Sequence, residues 1–143
     1  MSNAADMPSH AYIPGKTARH PEDAFDDLRN TARPGMTVSQ LSQSAAFQAG
    51  LAFIAQGYFW EAHEVLEPVW MACPQNSQER ALVQGLIQLA NAELKAVMGR
   101  PNATRRLCDV AFTHLNNVTA EKVMGLDVTA IQQQIDSLRR RDF

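Results

Sequence analysis

The hydrophobic positions of this chain recur with a helical period along most of its length. Between Thr37 and Gly57, apolar residues are spaced three and four positions apart, which predicts one helix across that segment. The same spacing predicts further helices over about 21–30, 58–72, 77–98, from Pro101 and from Asp127. No segment alternates convincingly with a period of two, as a half-buried strand would. The pattern therefore predicts an all-α, single-domain bundle of five or six helices.

The segment around Gly57 resembles one tetratricopeptide unit of about 34 residues, in which small residues let two helices approach closely. Gly50 provides a small residue before Gly57, and Pro74 ends the unit. The register would place another break near Asn91, but the helical pattern continues through Lys95. A single unit cannot bury its own hydrophobic face, so the segment predicts one helical hairpin inside a bundle rather than a solenoid.

The distribution of proline and glycine separates an N-terminal arm from the helical domain. Residues 1–20 have no hydrophobic period, which predicts an extended arm draped over the domain through Tyr12 and Ile13. Residues 21–143 are predicted to form one helical domain, since 143 residues suit a single domain. Ser2–Ala4 resembles a scar left by tag cleavage, although Met1 before it fits a natural start equally well. In either case these residues are excluded from the fold prediction.

Composition and charge exclude several classes of protein. A net charge of −2 provides no basic footprint for nucleic acid or for an anionic membrane. No run approaches the ~18 apolar residues of a membrane span, and the N-terminus lacks the pattern of a secretory signal. Cys73 and Cys108 lie far apart without a CxxC partner, as in a reduced cytoplasmic protein. We therefore expect a cytoplasmic protein that binds neither nucleic acid nor membrane.

The segment from Gly57 to Trp70 concentrates the candidate chemistry. Its sequence, GYFWEAHEVLEPVW, contains two tryptophans, one histidine and three glutamates. Glutamate and histidine are costly to bury unpaired, so the segment is either a packed polar network or a site. On a helix, His63, Glu67 and Trp70 share one line. Pro68 also leaves the carbonyl of Glu64 without its helical donor, so we expect a water or ligand at this position.

The next predicted helix carries amides that could complete this cluster. We expect Gln84 and Gln88 to turn toward His63 and Glu67 and to hydrogen-bond them. The candidate binding cluster contains Trp60, Glu61, His63, Glu64, Glu67, Trp70, Gln84 and Gln88.

Three interpretations of the cluster stay open. His63 and Glu67 could pair for stability alone, since they stand one helical turn apart. They could instead supply two ligands to a divalent metal, although the zincin signature has histidine where Glu67 stands. They could also form the acid–base pair of a hydrolase-like enzyme, in a cleft lined by Trp60 and Trp70. We expect no cofactor, with a divalent metal at His63 and Glu67 as the alternative.

Glu93 is an unusual residue because it falls among the leucines of its predicted helix. Either it forms an ion pair with an arginine of another helix, or that face is a subunit interface. The apolar helix face predicts a homodimer.

Three stretches of the chain are together similar to the domain-of-unknown-function 309 family, over about residues 44–140. They are EAHE with its following tryptophan in Gly57–Trp70, ERALVQGLIQ in Glu79–Gln88, and MGLD in Met124–Asp127. The arm Tyr12–Pro21 is similar to that of proteobacterial members. The resemblance implies a compact, all-helical bacterial protein without an assigned activity. It also implies that the family's signature positions are Glu61, His63, Glu64, Glu67, Trp70, Gln84 and Gly85.

These observations favour a small helical binding or interaction module with an unknown small ligand or protein partner. The concentrated aromatic residues and the incomplete catalytic and metal signatures favour binding. A hydrolase-like enzyme that uses His63 and Glu67 is the alternative.

Overall fold

The computed structural model describes residues 7–143. Ser2–Ala4, which resembles a tag scar, lies outside the described residues. Over this range the chain forms seven α-helices and one short β-hairpin, which confirms the all-α class. The elements are α1 (Asp26–Arg29), α2 (Val38–Gln43), α3 (Ala45–Gln56), α4 (Phe59–Ala72), α5 (Gln78–Val97), α6 (Pro101–Leu115), β1 (Lys122–Val123), β2 (Leu126–Asp127) and α7 (Val128–Arg139).

The chain divides into two compact units. The first ends at Cys73 and contains the described part of the arm with α1–α4, and the second spans Pro74–Phe143 and contains α5–α7 with the hairpin. One helical domain over residues 21–143 stays a prediction. No helix within residues 7–143 combines the length and apolar character that a membrane crossing needs.

Ser44 divides the segment that the sequence predicts as one helix. Its backbone is extended (φ −64°, ψ 149°), so α2 ends and α3 begins at this residue. The Ser44 hydroxyl accepts a hydrogen bond from the Phe47 N–H and donates one to the Leu41 carbonyl. Serine side chains compete in this way with the helical backbone, and the apolar spacing is unaffected by the break. The additional helix arises from this division.

The first unit packs α3 against α4 around a close contact at Gly50. A Cβ atom at Gly50 would lie 2.4 Å from Cδ2 of Leu66, so only glycine leaves room for this buried side chain. The left-handed conformation of Gly57 (φ 88°) ends α3 and turns the chain into α4. Larger apolar side chains fully buried in this unit are Leu41, Phe47, Phe53, Val65, Leu66 and Val69. The tetratricopeptide-like character of the hairpin stays a prediction.

The second unit packs α6 against α5, and α7 against α6. Ser77 and Asp127 cap α5 and α7, as their positions in the sequence indicate. The strands β1 and β2 pair antiparallel through a two-residue turn, whose residues Met124 (φ 52°) and Gly125 (φ 80°) are both left-handed. Strands of two residues are too short to produce an alternating pattern, so this hairpin leaves no period of two in the sequence.

Glu93 forms an ion pair within the second unit. Its Oε1 lies 3.8 Å from Nη2 of Arg141, which follows α7, and the carboxylate is only 15% exposed. Burial raises the pKa of Glu93, and the Arg141 guanidinium partly offsets this increase. The ion-pair alternative for Glu93 is therefore observed. On the neighbouring α6, burial and then the nearby carboxylates of Asp109 and Glu93 raise the pKa of the Cys108 thiol to about 11.

Candidate functional site

Among the described residues of the first unit, Glu61 is the most enclosed charged residue, with a side chain that is 0% exposed. Its Oε2 accepts two hydrogen bonds from the arm, from the Tyr12 backbone N–H at 2.7 Å and from His20 Nε2 at 2.6 Å. The His20 side chain is itself only 6% exposed. Among the described residues, Oε1 of Glu61 has no hydrogen-bond partner. Glu61 therefore fixes the arm on α4.

Aromatic contacts surround this carboxylate. The Tyr12 ring meets the Trp60 ring edge to face, with centroids 5.2 Å apart. The His20 ring stacks on His10 at 4.5 Å and meets Phe25 edge to face at 5.1 Å. Such pairs add to the free energy gained from burial alone. The predicted contact of the arm through Tyr12 is thus observed, and Trp60 is one of the residues that the arm packs against.

A second polar cluster lies on the outer face of α4 and is half-exposed. Nε2 of His63 lies 3.8 Å from Oε2 of Glu67, and Nη2 of Arg29 donates to Oε1 of Glu67 at 3.2 Å. Nη1 of Arg29 lies 3.9 Å from Oε1 of Glu64. The side chains of His63, Glu64 and Glu67 are 34%, 34% and 41% exposed. We call these four residues the charged face of the first unit.

Arg29 also contacts the α4 backbone at the point where proline interrupts the hydrogen bonds. Pro68 lies inside α4 and has no N–H, so the carbonyl of Glu64 lacks the donor that a helix normally supplies. Nη1 of Arg29 donates to this carbonyl. The sequence predicts that a water or ligand would occupy this position, and the structure supplies a side chain of the chain itself.

The eight predicted site residues thus divide among separate environments. Trp60 and Glu61 hold the arm, whereas His63, Glu64 and Glu67 form part of the charged face. Trp70 is half-buried in the last part of α4. Gln84 and Gln88 lie half-buried on α5, where Oε1 of Gln88 accepts a hydrogen bond from Asn91 at 3.4 Å. The contact of the two glutamines with His63 and Glu67 stays a prediction.

His63 and Glu67 bring two ligand atoms close together. Within residues 7–143, no three histidine, cysteine, aspartate or glutamate side chains are grouped so that they could hold a metal ion. The distance of 3.8 Å between Nε2 of His63 and Oε2 of Glu67 is that of an ion pair and exceeds the usual length of a hydrogen bond. The role of this pair as an acid–base pair or as metal ligands stays a prediction.

Sequence reasoning missed two residues that organise these clusters, His20 and Arg29. His20 lies in a segment without hydrophobic period, and its partner Glu61 is 41 residues away. Arg29 lies in a helix of four residues, 38 positions before Glu67. One signal in the sequence pointed to such residues. Buried charges are normally paired, so the three glutamates of α4 required cationic or hydrogen-bonding partners from elsewhere in the chain.

Comparison with known proteins identifies one family. The profile of a domain of unknown function (DUF309) matches residues 47–107, which confirms the resemblance over that range. The match extends from α3 into α6 and includes every predicted signature position. No curated protein and no solved structure matches the chain.

Proposed function

We propose, from the membership of residues 47–107 in the DUF309 family of unknown function, that this protein is a small helical interaction module. Its recognition surface is the charged face of Arg29, His63, Glu64 and Glu67. The observation that carries the proposal is that these side chains are held in a fixed arrangement and yet remain about one-third exposed.

The fixed arrangement supports recognition because it lowers the entropy lost on binding. Arg29 contacts both the carbonyl of Glu64 and the carboxylate of Glu67, and His63 contacts Glu67 one turn away. His63, Glu64 and Glu67 all belong to one helix of 14 residues. Binding surfaces on helices are held more accurately than those on loops.

The charge of this face favours a cationic partner. Two carboxylates share the single guanidinium of Arg29, so the face carries one net negative charge when His63 is neutral. Met71 stands one turn after Glu67 and is 61% exposed, which adds an adaptable apolar contact beside the carboxylates. We infer that the partner is a polypeptide segment with arginine or lysine next to an apolar residue.

A pair of peptides tests this proposal. A capped peptide that alternates arginine and leucine is expected to bind at low salt, and the same peptide with glutamate in place of arginine is not. The double variant Glu64→Gln/Glu67→Gln should weaken binding about tenfold or more, because two charge contacts are lost. Glu22→Gln/Asp23→Asn provides the matched control, since it removes two exposed carboxylates of the same unit that do not belong to this face. Equal loss in both variants would show attraction by net charge only and would contradict the proposal.

We also infer a cytoplasmic location and a homodimer. Cys73 and Cys108 are buried and do not form a disulfide, which is typical of proteins from reducing compartments. We place the contact between copies at Val97 and Val110, which are 41% and 36% exposed on α5 and α6. Light scattering tests the dimer, which requires twice the chain mass of 15.8 kDa, whereas a monomer at all concentrations would contradict it.

A further inference from the structure

The first unit contains a cavity that lies apart from the charged face. Its volume is about 410 Å³, which falls within the range of small-molecule sites. It opens between the beginning of the described arm, the region of α1 and the buried side of α3. The residues that line it are Met7, Pro8, Ala24, Phe25, Asp27, Leu28, Thr31, Ala45 and Phe53.

Most of the residues that line this cavity are apolar. Phe25 and Phe53 meet with ring centroids 6.3 Å apart and planes at 73°, and Leu28 adds an aliphatic surface. The hydroxyl of Thr31 is already engaged, because it donates to the Leu28 carbonyl and accepts from the Ala46 N–H. The walls therefore suit an apolar body, and Thr31 mainly holds them in position.

Asp27 is the one charged side chain among the described residues of the lining. Among the described residues its carboxylate has neither a hydrogen bond nor an ion pair, and Asp27 is exposed. Arg29, two positions later, is directed to Glu64 and Glu67 and does not neutralise it. Glu22, Asp23 and Asp26 are also exposed nearby in sequence, so the local potential attracts cations.

We propose that this cavity binds a small organic cation, an ammonium group on an aromatic or branched aliphatic body. The body packs against Phe25, Leu28 and Phe53, and the ammonium group faces the carboxylate of Asp27. Aromatic rings also attract cations through their faces, so the half-buried Phe25 favours the same class of ligand. This site goes beyond the proposed interaction with a polypeptide and is independent of Glu64 and Glu67.

Three probes of similar shape and different charge test this inference: phenethylammonium, phenethyl alcohol and hydrocinnamate. Binding is followed through the backbone amide resonances of Leu28, Thr31 and Phe53. Phenethylammonium should bind about fivefold more tightly than the alcohol, as a partly exposed ion pair allows, and hydrocinnamate should bind most weakly. The inference is overturned if no probe shifts these resonances up to its solubility limit, or if the three bind equally.

Three variants assign the preference to Asp27 and to the cavity. Asp27→Asn should lower the affinity for phenethylammonium to that for phenethyl alcohol, and it should leave the affinity for the alcohol unchanged. Asp26→Asn is the matched control, because Asp26 lies outside the lining. It removes one surface charge that solvent screens, so the affinities for phenethylammonium and for the alcohol should each change by no more than about twofold. Ala24→Phe fills the cavity and should weaken all three probes. Equal effects of Asp26→Asn and Asp27→Asn would overturn the assignment.

Discussion

The guanidinium of Arg29 donates a hydrogen bond to the backbone carbonyl of Glu64, the carbonyl that Pro68 leaves without a helical donor. The contact joins α1 to α4 across 35 positions of the sequence. A proline inside a helix is normally destabilising, and a side chain from a neighbouring element compensates for it here. The same guanidinium then contacts the carboxylate of Glu67. The interruption of α4 is thus part of what fixes the charged face.

A double-mutant cycle tests this compensation. Arg29→Ala should lower the free energy of unfolding by about 1–2 kcal/mol, because the carbonyl and the Glu67 carboxylate lose a donor. In a Pro68→Ala background, residue 68 regains its N–H and supplies the helical hydrogen bond. The effect of Arg29→Ala should then be smaller by about 1 kcal/mol, and urea denaturation measures the difference.

Arg33→Ala is the control for this cycle. Arg33 is exposed and donates to the nearby carbonyl of Asn30, so its effect should not depend on residue 68. A coupling between Arg29 and Pro68 that is no larger than this control would show that the two residues act independently.

Glu61 is predicted to hold the arm on the first unit. Glu61→Ala leaves the Tyr12 N–H and His20 without their acceptor in a buried position, which should lower the free energy of unfolding by about 3–5 kcal/mol. Glu61→Gln keeps one acceptor oxygen for the Tyr12 N–H and His20, so it should lower the free energy of unfolding by less than Glu61→Ala does. Urea denaturation measures both variants, with the exposed Glu22→Gln as control.

Proteolysis separates release of the arm from general destabilisation. Lys16 and Arg19 are exposed residues of the arm at which trypsin can cleave once the backbone is released. Cleavage in Glu61→Ala should be faster than in the native protein under conditions where the helices remain folded. Unchanged cleavage together with unchanged stability would refute the role of Glu61.

Glu93 gives a prediction for the dependence of stability on pH. Burial raises the pKa of Glu93 in the folded protein above its ordinary value of 4.5, so the folded state binds this proton more tightly than the unfolded state. The contribution of Glu93 therefore falls as pH rises from 4.5 through the raised pKa. Relative to Glu93→Gln, the native protein should lose stability over this interval. The free energy of unfolding of both proteins is measured between about pH 4 and about pH 7. If the native protein does not lose stability relative to Glu93→Gln over this range, the raised pKa of Glu93 is contradicted.

The sequence predicted the helices that have both an apolar period and a terminal signal. Ser77 at the start of α5 and Asp127 at the start of α7 are examples, because capping is a local interaction. The division at Ser44 was missed because serine occurs at a position that leaves the apolar spacing intact. Whether serine caps a helix or continues one depends on packing that the local pattern does not contain.

The sequence places the candidate site on α4, but the side chains that contact its residues could not be predicted. Glu61 contacts Tyr12 and His20 from 49 and 41 positions away. Helical spacing relates only residues within one or two turns, so it grouped Glu61 with His63 and Glu67. In the structure Glu61 faces the arm, and Arg29 joins the other two glutamates from α1.

Mapping of the binding surface tests the central proposal most directly. The arginine–leucine peptide is titrated into isotopically labelled protein, and the backbone amide resonances are followed. The proposal predicts that the largest shifts occur at Arg29, His63, Glu64, Glu67 and Met71, and that they disappear in Glu64→Gln/Glu67→Gln. Shifts confined to other surfaces, or no shift at low salt, would contradict the assignment of the charged face as the recognition surface.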